Sequence, residues 1–294
     1  MNIALTGANG SIGKELIPFL IGLGHNVYRI SSSIPSDGEF YFSYKELTAR
    51  SINVKIDVFF HLASINSNLA EEEINDEVNL TRDMLLSLPS LSCKKLIFFS
   101  SAKVYGDNSF SKVFFSEEDQ LKPLCSYGKA KKLSEELIQI ESFRLGIKSI
   151  IFRLPPVFNK LSNSNLGKLI KLSQNKIPLP ILEQGLVNQR SFLSLNNLKV
   201  IIDFALINKE TFFENEIYNS SDSEFISINE LLTAAGNSYI FIIPKTLSNF
   251  FLKLPLIKNL LLKLYGNFVL DNSKLQAAMD VKLKTTHQSI KINS

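Results

Sequence analysis

The chain has 294 residues, 45% of them hydrophobic and 20% charged, and carries a net charge of +4. That length can bury one large core or two unequal lobes, and the composition is ordinary for a globular protein. Lysines are spread without a dense basic run, which gives nucleic-acid binding no support; two cysteines and three histidines exclude a zinc framework and suit a reducing compartment.

The first element is a short apolar strand over residues 2–6, entered directly from Met1, which leaves no room for a signal peptide and predicts a cytoplasmic protein. Glycines follow at 7, 10 and 13, ahead of a helical pattern over 11–22. Gly7 suits a tight strand exit, Gly10 a close backbone approach to a pyrophosphate, and Gly13 close helix–sheet packing. With Asn9, Ser11 and Ile12 they form a loop whose helix start offers amide hydrogens to phosphates. Strand, spaced glycines and helix together predict dinucleotide binding.

A second strand over 27–30 runs into Ser31, Ser32 and Ser33, with Arg29 inside it and no acid before Asp37. A carboxylate there would bind a ribose 2′-hydroxyl and repel a 2′-phosphate. Arg29, Ser31 and Ser32 suit the phosphate, so NADP is favoured over NAD. Further strands are predicted at 40–42, 57–61, 95–100 and 148–153, and helices at about 71–88 and 126–145. In the former helix Ile74, Val78, Thr81, Leu85 and Leu88 form one stripe, and Pro89 ends it. Alternating strands and helices predict an α/β, Rossmann-type doubly wound parallel sheet. The crossover before 57–61 is short.

Tyr127 and Lys131 open the 126–145 helix four residues apart, on one face. A phenol normally ionises near pH ~10, and a cation about 4–6 Å away favours the phenolate. The pair therefore suits proton exchange in hydroxyl–ketone chemistry. Pro155-Pro156 marks a departure from the cofactor lobe, and about 188–215 reads as a return. The expected division is thus 1–154 plus about 188–215 as dinucleotide-binding domain, with 155–187 plus 216–294 as a smaller C-terminal substrate-binding lobe. The apolar stretch Ile240 to Leu270 is interrupted by Lys245, Lys253, Lys258 and Lys263 and by two prolines. No transmembrane span fits it; it reads as a substrate-lobe helix pair, with a surface-lying amphipathic piece as the alternative.

Thr6–Gly13 (T-G-x-x-G-x-x-G), His61-Leu62-Ala63 after a strand, Asn79, Ser100-Ser101-Ala102-Lys103-Val104-Tyr105-Gly106 and Tyr127-x-x-x-Lys131 occur in one order. This set resembles the extended short-chain dehydrogenase/reductase superfamily, in its NAD-dependent epimerase/dehydratase branch. The segments Phe152–Phe158, Gln189–Leu198 and Ile217–Leu231 extend the likeness. It looks most like nucleotide-sugar 4-ketoreductases and 4-epimerases of bacterial surface-polysaccharide synthesis. The resemblance implies Ser101, Tyr127 and Lys131 as catalytic residues. It implies Leu62, Ala63, Ser64, Asn79, Tyr127, Lys131 and Leu154 as cofactor contacts, beside the glycine loop. It implies Ser101, Lys103, Cys125 and Arg190 near substrate, Arg190 at the diphosphate, and a homodimer through helices 71–88 and 126–145. Ala102-Lys103 replaces the Asp-Glu pair of the 4,6-dehydratases, and Pro156 replaces an asparagine near the diphosphate.

The expected activity is NAD(P)-dependent chemistry at C4 of a nucleotide-linked sugar, foremost reduction of a UDP-4-keto-6-deoxy-hexose or -N-acetylhexosamine. A UDP-hexose 4-epimerase holding NAD is the alternative. A non-catalytic NAD(P)-binding sensor is the rival from another class, with the Ser-Tyr-Lys set intact against it.

Overall fold

The computed structural model describes residues 1–32, 40–65, 68–107, 114–158, 171, 179–183, 188–207, 212–236, 240–244, 246–247, 253–254, 258, 261–262, 265–279 and 281–292. Two compact units divide the chain: Met1–Gly106 with Leu121–Arg153 and Ile202–Tyr218, and Asp107–Gln120 with Leu154–Ile201 and Asn219–Ser294.

The first unit is built on β1 (Asn2–Thr6), α1 (Gly13–Gly22), β2 (Asn26–Ser31), β3 (Tyr41–Ser43), α2 (Tyr44–Thr48), β4 (Val58–His61), α3 (Ile74–Ser87), β5 (Lys95–Ser101) and α4 (Ser126–Leu145). Two more strands, Lys148–Leu154 and Glu216–Asn219, complete a seven-stranded sheet. Its order from one edge is β3, β2, β1, β4, β5, Lys148–Leu154, Glu216–Asn219, and β3 through β5 run parallel. The expected Rossmann-type sheet is therefore present. The order reverses between β1 and β4, so the crevice outside their carboxyl ends is where ligands bind in such sheets.

Alternation along each strand decides the two faces. Ala4, Ile30, Phe59, Leu96, Phe98 and Ile151 turn to one face and pack with Met84 and Leu85 of α3, Leu88 just past its end, and Ile138 of α4. The stripe expected on α3 is buried at Val78, Thr81, Leu85 and Leu88, with Ile74 half-buried. Helix α1 starts two residues later than expected, at Gly13, because Gly10–Ile12 remain in a turn. The five-residue α2 was not anticipated. Ser43 and Glu46 form a reciprocal capping box at its start, which offsets the cost of nucleating so short a helix.

The second unit contains three short parallel strand pairs: Leu193–Ser194 with Val157–Phe158, Ile240–Ile243 with Leu179–Leu182, and Val269–Leu270 with Phe114–Phe115. Phe158, Phe192, Leu231 and Leu232 lie in its core. A buried carboxylate, Asp222, accepts from the Ser194 amide at 2.8 Å, Asn197 Nδ2 at 2.6 Å and Thr286 Oγ1 at 2.9 Å. Residues 240–243, expected as part of a helix pair, form a strand; Lys245, Pro255 and Lys263 lie outside the described residues.

Candidate active site

At the reversal of strand order, β1 ends in Thr6 and the chain turns at Gly7 with φ +74°. A Cβ there would lie 2.8 Å from the Ala63 nitrogen, so only glycine lets this turn rest on the exit of β4. The Gly10 amide donates to the Gly7 carbonyl at 3.0 Å. Asn9, Gly10 and Ser11 are left exposed ahead of α1 and Ile12 half-exposed.

Behind the loop lies a buried polar chain. Thr6 Oγ1 is 2.8 Å from His61 Nδ1, His61 Nε2 is 3.2 Å from Thr81 Oγ1, and Thr81 donates to Ser134 Oγ at 3.1 Å. Burial first, and the Lys131 charge second, push the His61 pKa down to about 3, so its ring is neutral at ordinary pH. In the unfolded chain this imidazole titrates near ~6.5. The unfolded state therefore binds the extra proton as pH falls. We expect the urea midpoint to be flat above pH ~6.5 and to drop steadily toward pH ~3, with His61→Asn removing part of that slope.

Tyr44 stands at the first position of α2; burial, opposed by the Gly7 backbone and reinforced by the Glu77 charge, pushes its phenol up to about 12. Sequence reading missed it because its helix was not foreseen.

The trio implied by the motifs sits at the carboxyl end of β5 and the amino end of α4. Ser101 is half-buried and caps the short 3-10 turn Ala102–Tyr105, its Oγ accepting the Lys103 amide at 3.2 Å. That leaves its proton to donate. Tyr127 is half-buried in the first turn of α4. Lys131 is buried, its Nζ 5.7 Å from the centre of the Tyr127 ring and 5.0 Å from that of Phe98. Gly128 lets α4 approach the turn that begins at Ser101: a Cβ there would fall 2.5 Å from the Lys103 carbonyl oxygen. Cys125 is the N-cap of α4, its Sγ accepting the Gly128 amide at 3.4 Å. Its sulfur thus has a local structural task.

Asn79, implied by the resemblance as a cofactor contact, lies on α3. It is exposed there, and its Oδ1 accepts from Arg82 Nη1 at 2.5 Å. The residue that α3 turns toward Lys131 is Glu77, with Oε1 3.1 Å from Nζ. At the end of β2, Ser31 is buried and its Oγ accepts from Asn9 Nδ2 at 2.9 Å, while Ser32 is exposed. Arg29 stacks over Tyr41 at 4.8 Å and donates to its hydroxyl. Ser33 and Asp37 lie outside the described residues. Leu154 and Arg190 belong to the second unit. Arg190 exchanges backbone hydrogen bonds with Ile226, its guanidinium lies 5.7 Å from the Phe192 ring centre, and burial pushes its pKa down to about 10.

The residues present fit a dinucleotide. Ser64 Oγ and Arg29 Nε are buried without a hydrogen-bond partner among the described residues, a costly condition that a ligand's polar groups relieve.

A Rossmann sheet with a glycine loop at its switch point and a serine–tyrosine–lysine set beside it defines a dinucleotide-dependent oxidoreductase-type fold. The comparison with known families agrees: residues 3–220 match the NAD dependent epimerase/dehydratase family, and the chain belongs to it as an NAD(P)-dependent enzyme. Among curated relatives, UDP-glucose 4-epimerase of Vibrio cholerae is 24% identical over 246 residues, covering 79% of this chain and 74% of its own. The dTDP-4-dehydro-6-deoxyglucose reductase of Escherichia coli is 26% identical over 259 residues, covering 78% and 79%. The crystal structure of UDP-N-acetylglucosamine 4-epimerase from Bacillus cereus superposes with a TM-score of 0.79 at 18% identity, over 100% of this chain and 98% of that one. This last likeness is one of fold.

Proposed function

We propose that the chain exchanges hydride at C4 of a nucleotide-linked sugar, foremost reducing a UDP-4-keto-6-deoxy-hexose or -N-acetylhexosamine with NADPH for surface-polysaccharide synthesis. The observation that carries this reading is Tyr127 and Lys131 on one face of α4, held against the turn that starts at Ser101. In this reading the first unit holds the dinucleotide and the second, with Arg190, the sugar nucleotide. The cofactor, when bound, supplies or accepts the hydride. Ser101 donates to the sugar oxygen at C4 and orients it. Tyr127 gives that oxygen its proton as the alcohol forms, or removes it in the reverse direction. The Lys131 ammonium, 5.7 Å from the Tyr127 ring centre, holds the cofactor ribose. Water elimination has no acid/base pair after Ser101, where Ala102 is buried and Lys103 follows.

NADP is supported by Ser31, Ser32 and the unpartnered Nε of Arg29 at the end of β2. The engagement of the Arg29 guanidinium with Tyr41 limits that support to part of the side chain. The sequence kinship to a UDP-glucose 4-epimerase favours a second reading, epimerisation of UDP-glucose or UDP-GlcNAc with tightly held NAD.

The test is to purify the protein, identify any nucleotide that accompanies it, and follow absorbance of added NADPH with a UDP-4-keto-6-deoxy sugar. Oxidation of NADPH, slowed about 10²–10⁴-fold in Tyr127→Phe, supports the reductase. Co-purified NAD with C4 inversion of UDP-glucose or UDP-GlcNAc, and no use of NADPH, supports the epimerase instead. Cofactor binding without turnover of either sugar class points to a sensor.

A cytoplasmic homodimer is part of the proposal. Ile140 and Phe143 on α4 are 65% and 85% exposed, a cost that helix pairing between two copies removes. Weak attachment to an anionic membrane surface is the last part. Residues 231–270 hold four lysines and no acid, and Phe241, Ile242, Leu247 and Leu254 are exposed among them. No helix among the described residues is long and apolar enough to cross a membrane. Light scattering of the free protein, and its sedimentation with phosphatidylglycerol vesicles at low and high salt, test the two ideas. A monomer overturns the first, and absence of sedimentation at low salt overturns the second.

A further inference from the structure

Glu77 is a buried carboxylate on α3, on the same helix face as Thr81. Its side chain and that of Lys131 are each 2% exposed, and Oε1 lies 3.1 Å from Nζ. Its second oxygen, Oε2, accepts the Ile65 amide at 2.7 Å. One carboxylate thus ties together α3, α4 and the chain leaving β4. Burying an ion pair of this kind costs desolvation of both charges, which makes it a poor choice for stability alone. A role in setting the charge beside Tyr127 explains its place better.

We propose that Glu77 is a positioning residue that anchors the Lys131 ammonium and offsets its charge at Tyr127. This rests on the reading of Tyr127 and Lys131 given above. An ammonium with a carboxylate 3.1 Å away presents a dipole to its surroundings, and the field of a dipole at the phenol is weaker than that of a bare charge. The other ionisable groups around the pair leave this balance to Glu77. His61, from β4, is neutral and Tyr44, from α2, stays protonated. Glu135, one turn further along α4, is committed to Arg153. Lys103, two residues past Ser101, adds a positive charge that does not change between the variants below.

The substitution Glu77→Gln keeps the shape and an oxygen to accept the Ile65 amide, and removes the charge. The readout without substrate or cofactor is ultraviolet difference titration, with the Tyr127→Phe counterpart subtracted in each background so that only the Tyr127 phenolate remains. The midpoint in Glu77→Gln is expected about one unit lower than in the unaltered protein, and the acid limb of the kcat/KM profile should move by the same amount. An unchanged or raised midpoint overturns the proposal.

A thermal-unfolding cycle with Lys131→Met supplies the second arm. Glu77→Gln alone should lower the Tm, and the double variant should recover part of that loss. Strictly additive losses overturn the pairing. Because the titration needs no turnover, it still decides the role of Glu77 if the sugar chemistry proposed above is wrong. Failure of wild-type turnover with a shifted midpoint condemns only the proposed function.

Discussion

Glu135→Ala is expected to cost about 3–5 kcal/mol of stability, far more than deletion of an exposed carboxylate. The Arg153 guanidinium is buried and donates Nη2 to Glu135 Oε2 at 2.7 Å and Nε to both oxygens at 3.1 and 3.2 Å. Its Nη1 donates to the Tyr105 hydroxyl at 2.9 Å, and Ser100 Oγ donates to Glu135 Oε1 at 2.5 Å. Burial opposes the arginine charge, but the hydrogen bonds and charge of Glu135, with Tyr105 adding to them, outweigh it and hold the proton more firmly than usual. A guanidinium is too basic to lose its proton in a protein interior, so the cation stays charged when the carboxylate is cut away and remains stranded there. Chemical denaturation should show a lower midpoint with the slope unchanged. The double variant Glu135→Leu with Arg153→Met should regain more than half of the loss, since it leaves no buried charge alone. A loss below about 1 kcal/mol in Glu135→Ala would show that the network is not what holds this corner. The corner matters because Ser100 precedes Ser101, Tyr105 closes the turn after it, and Glu135 lies one helical turn beyond Lys131. The same bonds that stabilise the unit fix the ends of β5 and α4 against each other.

Much of this unit is legible from periodicity. The buried strands, the stripe on α3, and the full span of α4 follow from apolar spacing and from Pro89 and Gly146, the latter with φ +61° at the helix end. Tyr127 and Lys131 are legible for the same reason, since spacing within one helix fixes their common face. What escaped reading depends on partners distant in the chain. Glu135 and Arg153 lie on separate elements, and no local pattern announces their bond. Glu77 carries no motif of its own, unlike its neighbour Asn79. Helical spacing already placed 77 on the stripe of Thr81, and a charge inside a buried stripe was the available signal. The Ser43–Glu46 capping box was likewise present in the sequence and marks α2. Cys125 as an N-cap was not legible, because a thiol is a weak acceptor outside the usual capping set.

Gly128→Ala should reduce kcat/KM about 100-fold while leaving most of the stability in place. The added methyl carbon would lie 2.5 Å from the Lys103 carbonyl oxygen, 3.1 Å from the Lys103 carbonyl carbon and 3.0 Å from Pro123 Cβ. Two of these atoms are backbone, so no side-chain rotation relieves the contact. Relief requires the start of α4 and the 3-10 turn to separate by about an ångström, and misplacements of that size in a reacting set cost roughly 10²-fold. Tyr127 is the neighbour of Gly128, and Ser101 begins the turn that must give way, so the strain falls on the alignment of those two hydroxyls. The folding cost should be about 1–3 kcal/mol, typical of one extra methyl in a packed site. The glycine loop after β1 does not touch this contact. Cofactor affinity, read by fluorescence of bound NAD(P)H, should accordingly change by less than about threefold while turnover collapses. Turnover close to wild type would mean that the approach of α4 to the turn at Ser101 does not set the geometry of the reaction. A parallel loss of cofactor binding would place the damage in the fold rather than in the alignment of Ser101 with Tyr127.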